Sequence, residues 1–178
     1  MHRTITPIAI LALSAPIAAA DVIAEDPAIL APFEVTEVSV EFMGSSAGYT
    51  GELNWIDPDL PNVSTTLFNN HQSIVGDSYT IPRLFTQGER VDFTYNIIAG
   101  ADDRFSTSNP DDWNQFRIDD TDPTALIVAV EDLRPTSTDA DYNDVIFRVR
   151  FFQSVIPAPG ALGFFAMTSI ALVRRYRR

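Results

Sequence analysis

The sequence predicts an all-β fold for residues 33–152, an antiparallel two-sheet sandwich of jelly-roll-like type. Three observations carry that expectation. Several stretches alternate apolar and polar residues with period two, as half-buried antiparallel strands do. Clusters of Gly, Pro, Asn and Asp punctuate them: "DPDLPN", Gly76-Asp77, "QGE", "SNPDD" and "DDTDP". Finally, no stretch before the C-terminal tail sustains a helical period.

Along the chain, residues 1–20 read as a signal peptide. Arg3 opens a short basic start, Ile8 to Leu13 are apolar, and Ala18, Ala19 and Ala20 offer small residues for cleavage after Ala20. Pro7 and Pro16 oppose the alternative of a buried helix. Residues 21–32 are expected to be a linker or a first edge segment.

Within 33–152 the strands follow from their faces. "VTEVSVEFM" aligns Val38, Val40 and Phe42. "AGYTGELNW" sets Ala47, Tyr49, Gly51, Leu53 and Trp55 against Thr50, Glu52 and Asn54. "RVDFTYNI" directs Val91, Phe93, Tyr95 and Ile97 inward, with Asp92, Thr94 and Asn96 outward. "ALIVAV" is continuously apolar, as expected of a strand covered on both faces. "DVIFRVRFF" sets Val145, Phe147, Val149 and Phe151 against Arg148 and Arg150. Roughly eight short strands would make two sheets.

Residues 153–178 form a tail. Pro157 and Pro159 precede the uncharged run Ala161 to Val173, and the basic cluster "RRYRR" closes the chain. A helix from Ala158 would be about 24 Å long at 1.5 Å per residue, short for a ~30 Å hydrocarbon core unless arginines snorkel. The expected role is a membrane anchor with the arginines on the cytoplasmic side. The three-part layout resembles a PEP-CTERM sorting signal, with Ala158 standing where the usual Pro-Glu-Pro motif has glutamate. That resemblance implies export and a partner in an exosortase-like sorting enzyme.

Charge is sorted along the sequence. All 24 acidic residues lie between Asp21 and Asp144, a segment that, extended to Val155, holds seven arginines and nets −17. Such a surface repels nucleic acid and attracts cations. Cysteine is absent, which excludes disulfides, zinc thiolates and thiol nucleophiles. His2 and His71 stand far apart in sequence, which disfavours a histidine-based centre.

The candidate site is the run "DADYND". Asp139, Asp141 and Asn143 alternate, Asp144 opens the next strand, and Glu131 and Asp132 close the previous one. If strands 126–131 and 145–152 pair as a hairpin, these six oxygen-bearing side chains meet at one end of the sandwich. Calcium takes six to eight such oxygens. The EF-hand pattern fails, because Asp144 occupies its glycine position and Arg150 its bidentate glutamate position. The competing reading is a solvated polar turn, with Arg134 pairing one of the acids. Asp102, Asp103, Asp111, Asp112, Asp119, Asp120 and Asp122 are candidates for a second cation site or a solvated rim. Trp55, Trp113 and Tyr142 are candidates for a sugar platform or for packing.

"VEDLRPTSTDADYNDVIFRV" resembles the hallmark of an uncharacterised bacterial domain family: Glu-Asp-Leu, a glycine-containing turn, then Asp-x-Asp-Tyr-Asn-Asp and a strand. Glu131, Asp132, Leu133, Asp139, Asp141, Tyr142, Asn143 and Asp144 match it, while Thr136, Ser137 and Thr138 stand where the family usually has glycines. "SAGYTGEL" and "LFTQGERVDFTYNIIAG" also resemble family segments, so the likeness covers most of 42–150. It implies a β-sandwich on an exported or surface protein, with calcium at the acidic motif. The expected function is therefore a non-enzymatic, envelope-associated, calcium-binding module of surface structure, adhesion or an extracellular polysaccharide matrix. The alternative is a carbohydrate-active protein, either a lectin-like binder or a glycoside hydrolase.

Overall fold

The computed structural model describes residues 27–60, 62–134 and 140–155. The expected signal peptide and the tail from residue 156 onward lie outside the described residues. No helix among the described residues is long and apolar enough to cross a membrane.

The alternating segments form nine strands among the described residues: β1 (Thr36–Gly44), β2 (Thr50–Ile56), β3 (Ser64–Asn69), β4 (Ser78–Phe85), β5 (Phe93–Ala99), β6 (Arg104–Ser106), β7 (Phe116–Asp119), β8 (Ala125–Val130) and β9 (Val145–Gln153). A 3-10 helix, Pro110–Gln115, joins β6 to β7. The strands make two antiparallel sheets, ordered β4-β1-β9-β8-β7 and β3-β2-β5-β6. The apolar face of each sheet is buried against the other: Phe93 of β5 meets Phe147 of β9 with ring centroids 5.2 Å apart. Phe42 and Phe68 make a second such pair at 5.8 Å.

The predicted inward faces of β1, β5 and β9 are all buried. Of the 21–32 segment, Ile29 and Ala31 pack into this core and Leu30 forms an isolated antiparallel bridge with Arg90. The edge strand β4 carries Pro82 where its pairing with β1 skips: Thr80 pairs Ser39 and Leu84 pairs Glu37. A proline without an N–H costs the ladder nothing there.

Three expectations change. β8 is not covered on both faces: Leu126, Val128 and Val130 are buried, while Ala125, Ile127 and Ala129 are half-buried. Its apolar run reflects neighbours such as Asp119 and Arg148, which flank Ile127 in the ladder and shield it only in part. Conversely, Asn54 and Thr94, expected outward, are 2% and 0% exposed. Both lie on interior strands and face each other in register, so flanking side chains close over them. The Asn54 side chain accepts a 2.7 Å bond from the Thr66 hydroxyl. The segment "SNPDD", read as a turn, enters the 3-10 helix. Its first turn is set by Pro110 and by the Asn109 side chain, which accepts the Asp111 N–H.

Candidate cation centre

β8 and β9 are neighbours, and their register ends on Val130 opposite Val145. The residues just beyond that last pair, Glu131 and Asp132 on one arm and Asp144 on the other, are therefore forced together. These three buried acids each offer one carboxylate oxygen, and the three oxygens lie within 4.8 Å of one another. The Asp144 carboxylate accepts the Asp132 backbone N–H at 2.7 Å, which ties the two arms.

Glu131 is 1% exposed. One of its oxygens, Oε2, accepts a long 3.4 Å bond from the Tyr142 N–H. The other, Oε1, is buried without a hydrogen-bond partner among the described residues. A buried carboxylate oxygen without a donor is costly unless something positive meets it. The same strain shows in Asp144, whose carboxyl is pushed up to about 7. Burial is the main cause; repulsion from Asp132, Glu131 and Asp141 adds to it, and the Asp132 N–H opposes it. Burial and the charges of Asp132 and Asp144 also push the Tyr95 hydroxyl well above its ordinary range.

The other residues of the six-ligand expectation stand apart from the triad where they are described. Asp141 is exposed, and its two oxygens accept the N–H and the side-chain amide of Asn143. Asp141 and Asn143 thus satisfy each other rather than joining the triad, as short polar side chains do in turns. Asp139 lies outside the described residues. Ala140 and Tyr142 adopt left-handed backbone, with φ of 57° and 52°. That conformation is uncommon without glycine, and it turns the Tyr142 N–H toward Glu131. Tyr142 is a wall of the loop: its hydroxyl donates to Asn114 O at 2.9 Å, and the Arg117 guanidinium sits 3.9 Å from its ring centroid. The Asn143 carbonyl accepts the Ser46 N–H from the β1–β2 connection.

Arg134 does not neutralise the acidic loop. It forks onto Asp103 at 2.7 and 2.8 Å and reaches Asp112 at 3.4 Å. This removes Asp103 and Asp112 from a second cation site, and the arginine holds the Asp103 carboxyl below the usual range. Asp119 and Asp122 instead accept bonds from Thr121 and Thr124, which lower their carboxyls in the same sense. Among the described residues, Glu131, Asp132 and Asp144 form the one group of three acids placed to share an ion.

The remaining candidates make contacts within the fold. Trp55 is in the core. The Trp113 indole N–H donates to Thr107 O at 3.0 Å. His71 donates through Nε2 to the Ala47 carbonyl, so Nδ1 accepts from the Thr50 hydroxyl. A residue that no motif marked is Gln115, which is 2% exposed and holds the Glu131 arm.

Together these features define a two-sheet antiparallel β protein with a buried acidic triad closing one hairpin. Residues 83–152 match the family described as a domain of unknown function (DUF4114). The match runs from within β4 to β9 and takes in the whole triad, whereas "SAGYTGEL" lies before it. Comparison with curated proteins and with solved structures gives no match.

The residues present fit a divalent cation. Two oxygens on one calcium, each 2.3–2.6 Å from it, stand at most about 5 Å apart, which accommodates the 4.8 Å spread of the triad. Glu131 Oε1 supplies a ligand atom that nothing else uses.

Proposed function

We propose that the chain is an exported, envelope-associated, non-enzymatic β module whose hairpin end is held by calcium at Glu131, Asp132 and Asp144. The observation that carries this reading is the partnerless Oε1 of a buried glutamate inside a cluster of like charges. Two further carboxylates stand beside it, and a calcium ion would neutralise most of the triad's charge while using that oxygen. Magnesium gives up its waters reluctantly and usually keeps several of them, so a buried group of carboxylates suits calcium better. The −17 charge of the segment from Asp21 to Val155 raises the local cation concentration. Three crowded, buried acids suit ion binding better than sugar hydrolysis, which needs two carboxyl groups flanking a scissile bond.

The basic start with its apolar stretch, and the apolar tail with its arginine cluster, support export and a PEP-CTERM-like tail that an exosortase-like enzyme would process. The role that follows is in surface structure, adhesion or a polysaccharide matrix, where calcium is plentiful.

Calorimetric titration of the full-length chain with calcium and with magnesium tests the reading. Calcium should bind with a Kd near or below ~10–100 μM, and magnesium more weakly. The absence of calcium heat, together with a melting temperature that is the same in chelator and in millimolar calcium, would overturn it.

A further inference from the structure

We infer that Gln115, together with the Tyr142 hydroxyl, positions the two arms of the cation site; the inference rests on the calcium reading above. The 3-10 helix Pro110–Gln115 is itself anchored. Asp112, at its centre and 4% exposed, accepts from the Ser106 N–H at 3.0 Å and from the Asn109 amide at 2.9 Å. The Phe116 N–H closes its end on Trp113 O. From this fixed point Gln115 takes hold of the first arm three times. Its carbonyl accepts the Glu131 N–H at 2.9 Å. Its side-chain amide donates to Glu131 O at 3.2 Å and, in a short bond, to Leu133 O.

Both main-chain polar groups of Glu131 are thus held by one residue, and Asp132 lies between the two clamped carbonyls. The adjacent Asn114 carbonyl holds the second arm through the Tyr142 hydroxyl, at 2.9 Å. Consecutive residues of one helix therefore set how far apart the arms stand. The amide is chemically suited to this task. It places two donors on one nitrogen without adding charge, whereas a carboxylate at position 115 would add a like charge and remove the donors.

A site pre-set in this way does not have to order its arms when the ion arrives, and affinity falls when that order must be created on binding. Gln115 is a positioning residue in this scheme, because its bonds are to the main chain that carries the ligands.

The test is the calcium Kd of the full-length protein, by calorimetry well below the melting temperature, for the native chain, Gln115→Met and Tyr142→Phe. Methionine keeps the side-chain volume and removes both donors; phenylalanine removes one hydroxyl. Gln115→Met should weaken calcium about 10-fold and Tyr142→Phe about 3-fold. Melting in chelator reports separately on any purely structural loss, which would lower stability without moving the Kd of the folded protein. If Gln115→Met does not fold, Tyr142→Phe decides. A Kd within twofold of native in the folded variants overturns the inference and leaves the calcium reading standing. A native chain that binds no calcium overturns both.

Discussion

Asp144 accepts the backbone N–H of Asp132 at 2.7 Å, across twelve residues of chain, and yet its carboxyl is pushed up to about 7. One good hydrogen bond is outweighed by burial and by the acids around it. In chelator this group binds its proton more tightly in the folded than in the unfolded chain. Its contribution to stability is therefore fully present below the ordinary carboxylate pKa and is lost as pH rises through about 7. The loss is on the order of a few kcal/mol. Melting in chelator between pH 5 and 8 should show this downward slope, and Asp144→Asn should flatten it. Equal slopes for the two proteins would contradict the burial of the charge. Calcium competes with the same proton, so its stabilising effect should grow across that interval.

The members of the acidic run should not be equivalent. At 100-fold above its Kd, calcium adds about 2.7 kcal/mol, roughly 5–10 °C in melting temperature for a domain of this size. Glu131→Gln should abolish most of that shift. Asp141→Ala should keep most of it, because Asp141 is exposed and engaged with Asn143. Scanning calorimetry with and without calcium distinguishes the two; an equal loss in both variants would place Asp141 among the ligands.

Phe147 and Arg148 are neighbours with opposite fates. Phe147 is fully buried against Phe93, so Phe147→Ala should cost ~3–5 kcal/mol. Arg148 is half-buried and shares Glu41 with Arg150, so Arg148→Ala should cost under about 1 kcal/mol. Urea titration of both variants checks the ratio.

Gly51 is required for space. A methyl group there would stand 2.3 Å from the Tyr95 ring, which is itself fully buried and accepts a bond from Asn70. Gly51→Ala should therefore destabilise by about 1–3 kcal/mol through overpacking. Gly48→Ala, where an added methyl group meets nothing within 4 Å, is the control. A shared denaturation midpoint would show that Tyr95 can move aside.

The tail carries its own prediction. The full-length chain should fractionate with membranes, and residues 21–155 should remain in solution, because Ala161 to Val173 is uncharged and flanked by arginines. Recovery of the intact full-length chain in the soluble fraction would end the anchor reading.

Strand faces were legible in the sequence because alternation is a local property: Val145, Phe147, Val149 and Phe151 share a face in any extended chain. The same logic let Glu131, Asp132 and Asp144 be named from the expectation that β8 and β9 pair, since pairing brings the ends of both strands together. Which of the six candidates actually converge was a matter for the tertiary structure. Asp141 could bond Asn143 two residues away or turn toward Glu131, and loop dihedrals at Ala140 and Tyr142 decide that choice. Arg134 had acids close by in sequence but pairs with Asp103, 31 residues away, because β6 and the 3-10 helix stand beside it. Gln115 carries no motif at all, and its importance comes from contacts 16 and 18 residues distant. Periodicity determines which way a side chain faces; what it meets there is set by the packing of segments remote in sequence.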